Sequence, residues 1–337
     1  MSKIRALALI SGGLDSALAV KLVKEQGVEV VGVFFIDPFS KWDLKTASKS
    51  PAGKIAQQLG IELLVKDLGE EFIDIVKSPK FGYGRSANPC IDCRILRLKK
   101  ASELMREISA KFIITGEVVG QRPMSQRREI LKLIDKETGL GGLILRPLSA
   151  KILNPTIPEQ KGWVEREKLL GIIGRSRKLQ FYLAEKYKLS GYSSPAGGCL
   201  LTEKEFGKKV FDLIKFQPDF GINDTKLLRL GRHFRLSEGA KLVVGKNDRE
   251  NKRLIALAQE GDILIHTNGI PGPTGLIRGN PSQEDVELAL GIVAYYVHKS
   301  PTPKVPMILI EKQKDNEKII RSSKEAIERT ILEEKRI

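Results

Sequence analysis

The sequence predicts a doubly wound α/β parallel sheet followed by a small α+β module. Three observations predict it. Continuous apolar runs alternate with amphipathic stretches through residue 117, a glycine turn follows the first run directly, and a second set of short apolar runs begins near Thr225. Apolar strands without polar alternation, separated by helices, indicate parallel pairing with both sheet faces covered.

The first run, ALALI at 6–10, leads into a helical pattern at 16–26, then VEVVGVFFI at 28–36, a second helical pattern at 42–59, and IELLVKDL at 61–68. After EEFIDIVK and a loop holding two cysteines comes a helix from about Arg94 to Ser109, then KFIITGE at 111–117. Sheets of this kind bind ligands beyond the carboxyl ends of their strands. The basic start before ALALI imitates a secretion signal. Its apolar part is short and meets a glycine turn instead of a small-residue cleavage site, so we read a buried strand in a cytoplasmic protein.

At 150–162 the texture changes to AKILNPTIPEQKG, and the basic stretch EREKLLGIIGRSRKLQFYLAEKYK reads as a helical extension from about 155. The glycine-rich SSPAGGC follows, and Thr202 with Glu205 forms a capping-box pattern for a helix ending near Phe216. LLRLG, HFRL, KLVVG and DILIH read as strands, NDRENKRLIALAQEG and 282–298 as helices, and GIPGPTG as a loop. The expected organisation is therefore a nucleotide-binding domain over 1–205, a compact module over 221–300, and a charged helical tail over 307–337.

In 337 residues, Lys and Arg outnumber Asp and Glu by 57 to 41, a net charge of +16. That excess favours a polyanionic partner, with a solvated Lys/Glu-rich surface as the alternative. No apolar run is long enough to span a bilayer, so a membrane role is not expected. Three cysteines, an odd number in a reducing compartment, argue against a disulfide framework and for metal, redox or nucleophile use.

ISGGLDS, residues 10–16, carries the chemistry. Gly12 and Gly13 let backbone N–H groups turn toward an anion, and the following helix N-terminus adds its dipole. Ser11 and Ser16 can donate to phosphate oxygens, and Asp15 can cap the helix or hold Mg²⁺. SGGLDS resembles the PP-loop signature of the ATP pyrophosphatases, of the adenine nucleotide alpha hydrolase-like fold, which adenylate a carbonyl or amide oxygen. The resemblance implies that Ser11, Gly12, Gly13, Asp15 and Ser16 hold the ATP phosphates with Mg²⁺. It also implies that Phe35, with Phe34, lies by the adenine, although both fit a core equally.

TGEVVGQRPMSQ at 115–126 is similar to the corresponding segment of tRNA 4-thiouridine synthetases, which implies that Gly116, Glu117, Gln121, Ser125 and Gln126 line the cleft. The only histidines are His233, His266 and His298, so no glutaminase-like Cys/His/Glu constellation is visible.

NPCIDC resembles the NPxxxC segment of the tRNA 2-thiouridylases, and through it Cys93 and Cys199 are the implied catalytic pair. Three uses of the thiols stay open. A persulfide relay uses Cys93 and Cys199, with thiolates favoured by a helix N-terminus and by Arg94, Arg97 and Lys99. A [4Fe–4S] cluster uses Cys90, Cys93 and Cys199 as in cluster-dependent thiolases of the superfamily. A zinc or purely structural role is the third, and zinc lacks a fourth ligand nearby.

RHFRLSEGAKLVVGKNDREN, GDILIH and GIPGPTG resemble the RNA-binding domain of NFACT proteins. The likeness implies that Arg232, His233, Arg235, Lys246, Asn247 and the loop from His266 to Thr274 face nucleic acid, and Arg175, Arg177 and Lys178 are a second set of phosphate contacts. Taken together, the resemblances imply ATP-dependent tRNA uridine thiolation with a persulfide or sulfide donor, position 4 ahead of position 2. A small-metabolite adenylating ligase or amidating synthetase, and a non-catalytic RNA-binding protein, are the alternatives. Oligomeric state is not legible.

Overall fold

The computed structural model describes residues 3–193, 199–298, 304–311, 316–323 and 328–337. The chain divides into two compact units, Met1–Thr202 and Glu203–Ile337.

In the first unit, β1 (Arg5–Leu9), α1 (Leu14–Lys24), β2 (Glu29–Ile36), α2 (Pro51–Leu59), β3 (Leu63–Asp67), α3 (Gly69–Lys77), α4 (Cys90–Glu107), β4 (Phe112–Ile114), α5 (Arg128–Thr138) and β5 (Ile144–Leu145) follow in order. The five strands lie in the order β3-β2-β1-β4-β5, every pair parallel. β1 is central because its residues are apolar on both faces: Ala6, Leu7 and Ala8 are wholly buried. The chain moves outward from β1 through β2 to β3, then returns to the other side of β1 as β4. The loops after β1 and β4 thus meet at the switch point where such sheets open a ligand crevice.

α4 starts at Cys90 rather than near Arg94, because Pro89 takes the N-cap position and the chain turns helical directly after it. Both cysteines therefore stand one turn apart in the first turn of a helix instead of in a loop. The basic extension is mostly irregular: it holds only the one-turn α6 (Ile157–Gln160) and α7 (Lys178–Lys186). Its apolar residues, such as Val164, Leu169 and Ile172, are buried as single anchors, which imitated helical periodicity.

The second unit contains α8 (Lys204–Phe216), α9 (Ile222–Leu227), β6 (Arg232–Ser237), β7 (Ala240–Val244), α10 (Asp248–Leu257), β8 (Ile263–Thr267), β9 (Gly275–Gly279), α11 (Gln283–Tyr295), β10 (Lys304–Glu311), β11 (Asn316–Ser323) and α12 (Arg329–Lys335). Its sheet has the order β11-β10-β8-β9-β7-β6, antiparallel throughout. The expected helical tail over 307–337 is corrected: only its end is helical, and β10 and β11 complete the sheet. Val305, Met307 and Leu309 point into the core while their neighbours are partly exposed, a period of two that marks a strand. The expected capping box also fails. Thr202 donates to the Cys199 carbonyl oxygen at 2.7 Å, and Glu203 precedes α8 without a side-chain cap. LLRLG is the end of α9 and a turn, not a strand.

Candidate active site

The loop after β1 turns at Gly12, whose φ of +77° belongs to the left-handed region, and a Cβ there would stand 2.6 Å from the Ala52 nitrogen. Only glycine fits. Gly13 is the N-cap of α1 and offers no side chain, so the first-turn N–H groups of α1 stay open to an anion. Beside them the Ser11 and Ser16 hydroxyls lie 3.3 Å apart, and Ser16 Oγ donates to the Gly13 carbonyl at 2.8 Å. This donor set fits a polyphosphate.

Gly116, just after β4, packs directly on α1, where a Cβ would meet the Asp15 carbonyl carbon at 2.6 Å. Gly116→Ala is expected to push the two loops apart and weaken nucleotide binding by about tenfold or more, since forced backbone shifts cost about 1–3 kcal/mol. Calorimetric titration with ATP checks this.

Asp15 accepts from Gln121 Nε2 at 2.7 Å and from Arg177 Nη2 at 3.3 Å, and Gln180 Nε2 donates to Gln121 Oε1 at 3.2 Å. The placement of Arg177 on an RNA face is therefore corrected: it is largely buried at Asp15, while Arg175 and Lys178 are exposed. Phe34 and Phe35 both have buried rings, in keeping with the core alternative. Ser125, Gln126 and Glu117 are buried too, so they support the cleft from beneath and do not line it.

Glu117 anchors a network of charge. Arg146 Nε reaches it at 2.9 Å and Arg94 Nε at 3.2 Å, while Arg146 also holds Asp135 at 2.6 Å. Burial opposes ionisation of Glu117, but Arg94 and Arg146 outweigh it and keep the carboxyl below its ordinary range. Through Arg94 this network fixes the start of α4 against the loop after β4.

On α4, Cys93 Sγ accepts from Arg97 Nε at 3.2 Å. Arg97 is itself held by the Phe35 carbonyl at 3.0 Å and by Asp37 at 2.8 Å, so the end of β2 aims the guanidinium at the sulfur. Cys90 Sγ accepts from Asn88 Nδ2 at 3.0 Å. The expected lowering of thiol pKa does not extend to Cys90, whose pKa burial raises against the Asn88 hydrogen bond. Arg94 is committed to Glu117, and Lys99 is exposed.

Cys199 is exposed, yet interacts electrostatically with Cys93 and Cys90. Desolvation, then Asp37 and Cys93, push its thiol up to about 12. Because Cys199 meets solvent, the Asp37 carboxylate is the firmer cause of that rise. The chain before it is tied to the phosphate loop: Ser193 donates to the Gly12 carbonyl through its N–H at 2.8 Å and its hydroxyl at 3.1 Å. PAGG, together with Ser194, lies outside the described residues.

Among the described residues no three His, Cys, Asp or Glu side chains are placed to hold a metal, so the cluster set Cys90, Cys93 and Cys199 is not assembled as ligands. The thiols suit iron in kind but not in placement. Asp37, Asn88, Arg146, Gln180 and Ser193 were not singled out from sequence, whereas Arg97 was, as a cation beside the thiols. Asp37-Pro38 at a strand end and Asn88-Pro89 before a helix were the visible signals.

In the second unit, His233 is corrected. It is 1% exposed, its Nε2 is 2.7 Å from the Leu230 carbonyl oxygen, and burial holds its pKa well below the ordinary value. Arg235 is likewise turned inward to Asp212 at 2.6 Å. Arg232 stacks on Tyr296, with 4.4 Å to the ring centroid, and Thr274 is buried against His266. Lys246 and Asn247 are exposed, and Arg249, Lys252 and Arg253 of α10 continue that basic surface.

Residues 1–152 match the family model described as thiamine biosynthesis protein (ThiI). The first unit carries a ThiI-type PP-loop domain. Residues 231–333 match the NFACT protein RNA binding domain, so β10 and β11 belong to the module and not to a separate tail. Among curated relatives, a tRNA-specific 2-thiouridylase of Caldanaerobacter subterraneus is 34% identical over 38% of this chain and 38% of its own length. A tRNA-specific 2-thiouridylase of Delftia acidovorans is 27% identical over 70% of this chain and 63% of its own. This chain thus spans 38 to 63% of the length of these two relatives.

Among solved structures, the U34-tRNA thiolase NcsA from Methanococcus maripaludis with its [4Fe–4S] cluster shares 17% identity at a TM-score of 0.34, covering 68% of this chain and 71% of that one. A 4-thiouridine synthetase in complex with RNA and ATP shares 19% at a TM-score of 0.37, covering 66% and 52%. No helix among the described residues of the ThiI-type domain or the NFACT-type module is long and apolar enough to cross a membrane.

Proposed function

We propose that the protein is an ATP-dependent tRNA uridine thiolase. The observation that carries this reading is the docking of Ser193 on Gly12, six residues before Cys199. It ties the phosphate loop to the sulfur site. The relatives named tRNA-specific 2-thiouridylases and the NFACT-type module support RNA as the substrate.

The open N-terminus of α1, with Ser11 and Ser16, binds phosphates, and Asp15 is the carboxylate suited to Mg²⁺. ATP supplies the adenylyl group that turns a uridine carbonyl oxygen into a leaving group. Arg97 donates to the Cys93 sulfur and fixes its direction. A persulfide that an external persulfide donor leaves on Cys93 attacks the activated carbon through its outer sulfur and AMP departs; Cys199 gives up its proton as it attacks the Cys93 sulfur, which releases the thiouridine and leaves a Cys93–Cys199 disulfide that an external thiol then reduces. The exposed Lys246, Arg249 and Arg253, together with Arg175 and Lys178, suit RNA phosphates.

The ThiI-type match over 1–152 favours ring position 4, and similarity to 2-thiouridylases over 70% of the chain favours position 2. Mass spectrometry of tRNA nucleosides from a deletion strain is expected to show loss of one thiolated uridine and to name the position. An unchanged nucleoside profile sinks the proposal.

A further inference from the structure

Arg177 reaches the phosphate loop from far along the chain. The strap that carries it is fastened first: Ile172 N–H donates to the Leu148 carbonyl at 2.7 Å, and Gly174 N–H to the Val119 carbonyl at 2.8 Å. Val119 and Ile173 form an isolated parallel bridge, so the strap is joined to the loop after β4 immediately before Arg177 opens α7. The Arg177 side chain is 12% exposed, and its guanidinium lies over the Phe181 ring at 5.4 Å. Such anchoring is more than a solvated cation needs.

The guanidinium is also under-satisfied. Among the described residues it makes one long bond, to Asp15 Oδ1 at 3.3 Å, and its buried Nε has no acceptor. Next to it Gln180, wholly buried, leaves Oε1 without a donor among the same residues. Buried charged donors without acceptors are costly, and a native structure that retains one has a use for it. Asp15, which it meets, stands in the first turn of α1, at the open helix N-terminus beside the Ser11 and Ser16 hydroxyls, which suit phosphate oxygens.

We infer that Arg177 binds the β- and γ-phosphates of ATP, and that Asp15 holds it in place until the nucleotide arrives. This rests on the ATP reading above. A polyphosphate offers the guanidinium several anionic oxygens in place of one distant carboxylate oxygen, and arginine's planar fork favours such multidentate acceptors. The same exchange frees Asp15 Oδ1 for a cation.

The test titrates the full chain with a non-hydrolysable ATP analogue and, separately, with AMP. Arg177→Ala is expected to weaken the triphosphate about tenfold or more and leave AMP within about twofold, because AMP lacks the phosphates that Arg177 engages. Lys186→Ala, exposed in the last turn of α7, is expected to leave both nucleotide affinities unchanged. Equal losses for AMP and the triphosphate, or no loss of either, overturn the inference. So does a loss of tRNA affinity with triphosphate affinity intact, which assigns Arg177 to RNA. If the alanine variant does not melt cooperatively, Arg177→Lys keeps the cation but not the fork, and a smaller loss confined to the triphosphate is the expected result. Failure of the unaltered protein to bind the analogue overturns the ATP reading itself.

Discussion

Cys93→Ser is expected to reduce tRNA thiolation by on the order of a thousandfold or more, while ATP and tRNA affinities stay within about twofold. Serine keeps the volume and can still accept from Arg97, so the fold and the phosphate loop are undisturbed. What is lost is a sulfur that can carry and release sulfur. Cys199→Ser is expected to fall comparably in multiple-turnover assays but to retain single-turnover formation of an RNA–protein adduct on Cys93, because it removes only the release step. Cys90→Ser separates the two sulfur chemistries. Cys90 is raised in pKa by burial and bonded to Asn88, which marks it as a packed thiol in a relay, so activity within about threefold of the parent is expected. Loss as deep as that of Cys93→Ser contradicts the relay.

Arg146→Met is expected to destabilise the protein by about 3–5 kcal/mol, the usual cost of leaving a buried charge without its partner. Two carboxylates depend on this guanidinium, and Glu117 is only 1% exposed. Glu117 keeps the Thr115 hydroxyl at 3.1 Å, but of its two cations only Arg94 remains, at 3.2 Å, and it is the residue that joins α4 to the loop after β4. Activity should therefore fall along with stability. The double change Arg146→Met with Glu117→Gln is expected to recover part of the loss, measured by denaturant unfolding, since it removes the stranded charge as well as its partner.

The same network gives the protein an acid limit. Glu117 has a folded-state pKa below its value of 4.5 in the unfolded chain, so the carboxylate binds protons more readily when unfolded. Its contribution is fully present above 4.5 and is lost as pH falls through the lowered folded value. Asp212, lowered by Arg235 and Lys241 against the opposing effect of burial, acts in the same direction in the second unit. Stability is expected to drop steeply below pH 4.5, and in Glu117→Gln that dependence becomes shallower.

Much of this was legible in the sequence because it is local. ISGGLDS between an apolar run and a helix fixes a strand, a glycine turn and an open helix end within seven residues, and the structure has all three. What escaped is the pairing of distant positions. Arg177 looks like its exposed neighbours Arg175 and Lys178 until the strap at 172–174 is seen to join the loop after β4, and nothing in RSRK distinguishes it. His233 and Arg235 lie on β6, where alternation decides direction, but His233 turns inward with Phe234 and no simple period of two separates them. VPMILIE at 305–311 did show strand alternation, and the flanking charges hid it. The helix start at Cys90, which stacks Cys90 and Cys93 on one face, depends on Pro89 taking the cap, and the charged run after Arg94 drew the expected helix start too late.

The most direct test of the account follows an oxygen atom. A tRNA transcript with ¹⁸O at the uridine carbonyl is incubated with the protein, ATP and a persulfide donor, and the AMP is examined by mass spectrometry. Adenylation of the carbonyl predicts that each thiouridine formed leaves one ¹⁸O in the phosphate of AMP, from O4 or O2 according to the position modified. Thiouridine accompanied by unlabelled AMP from both labelled transcripts, or by ADP and phosphate, contradicts it.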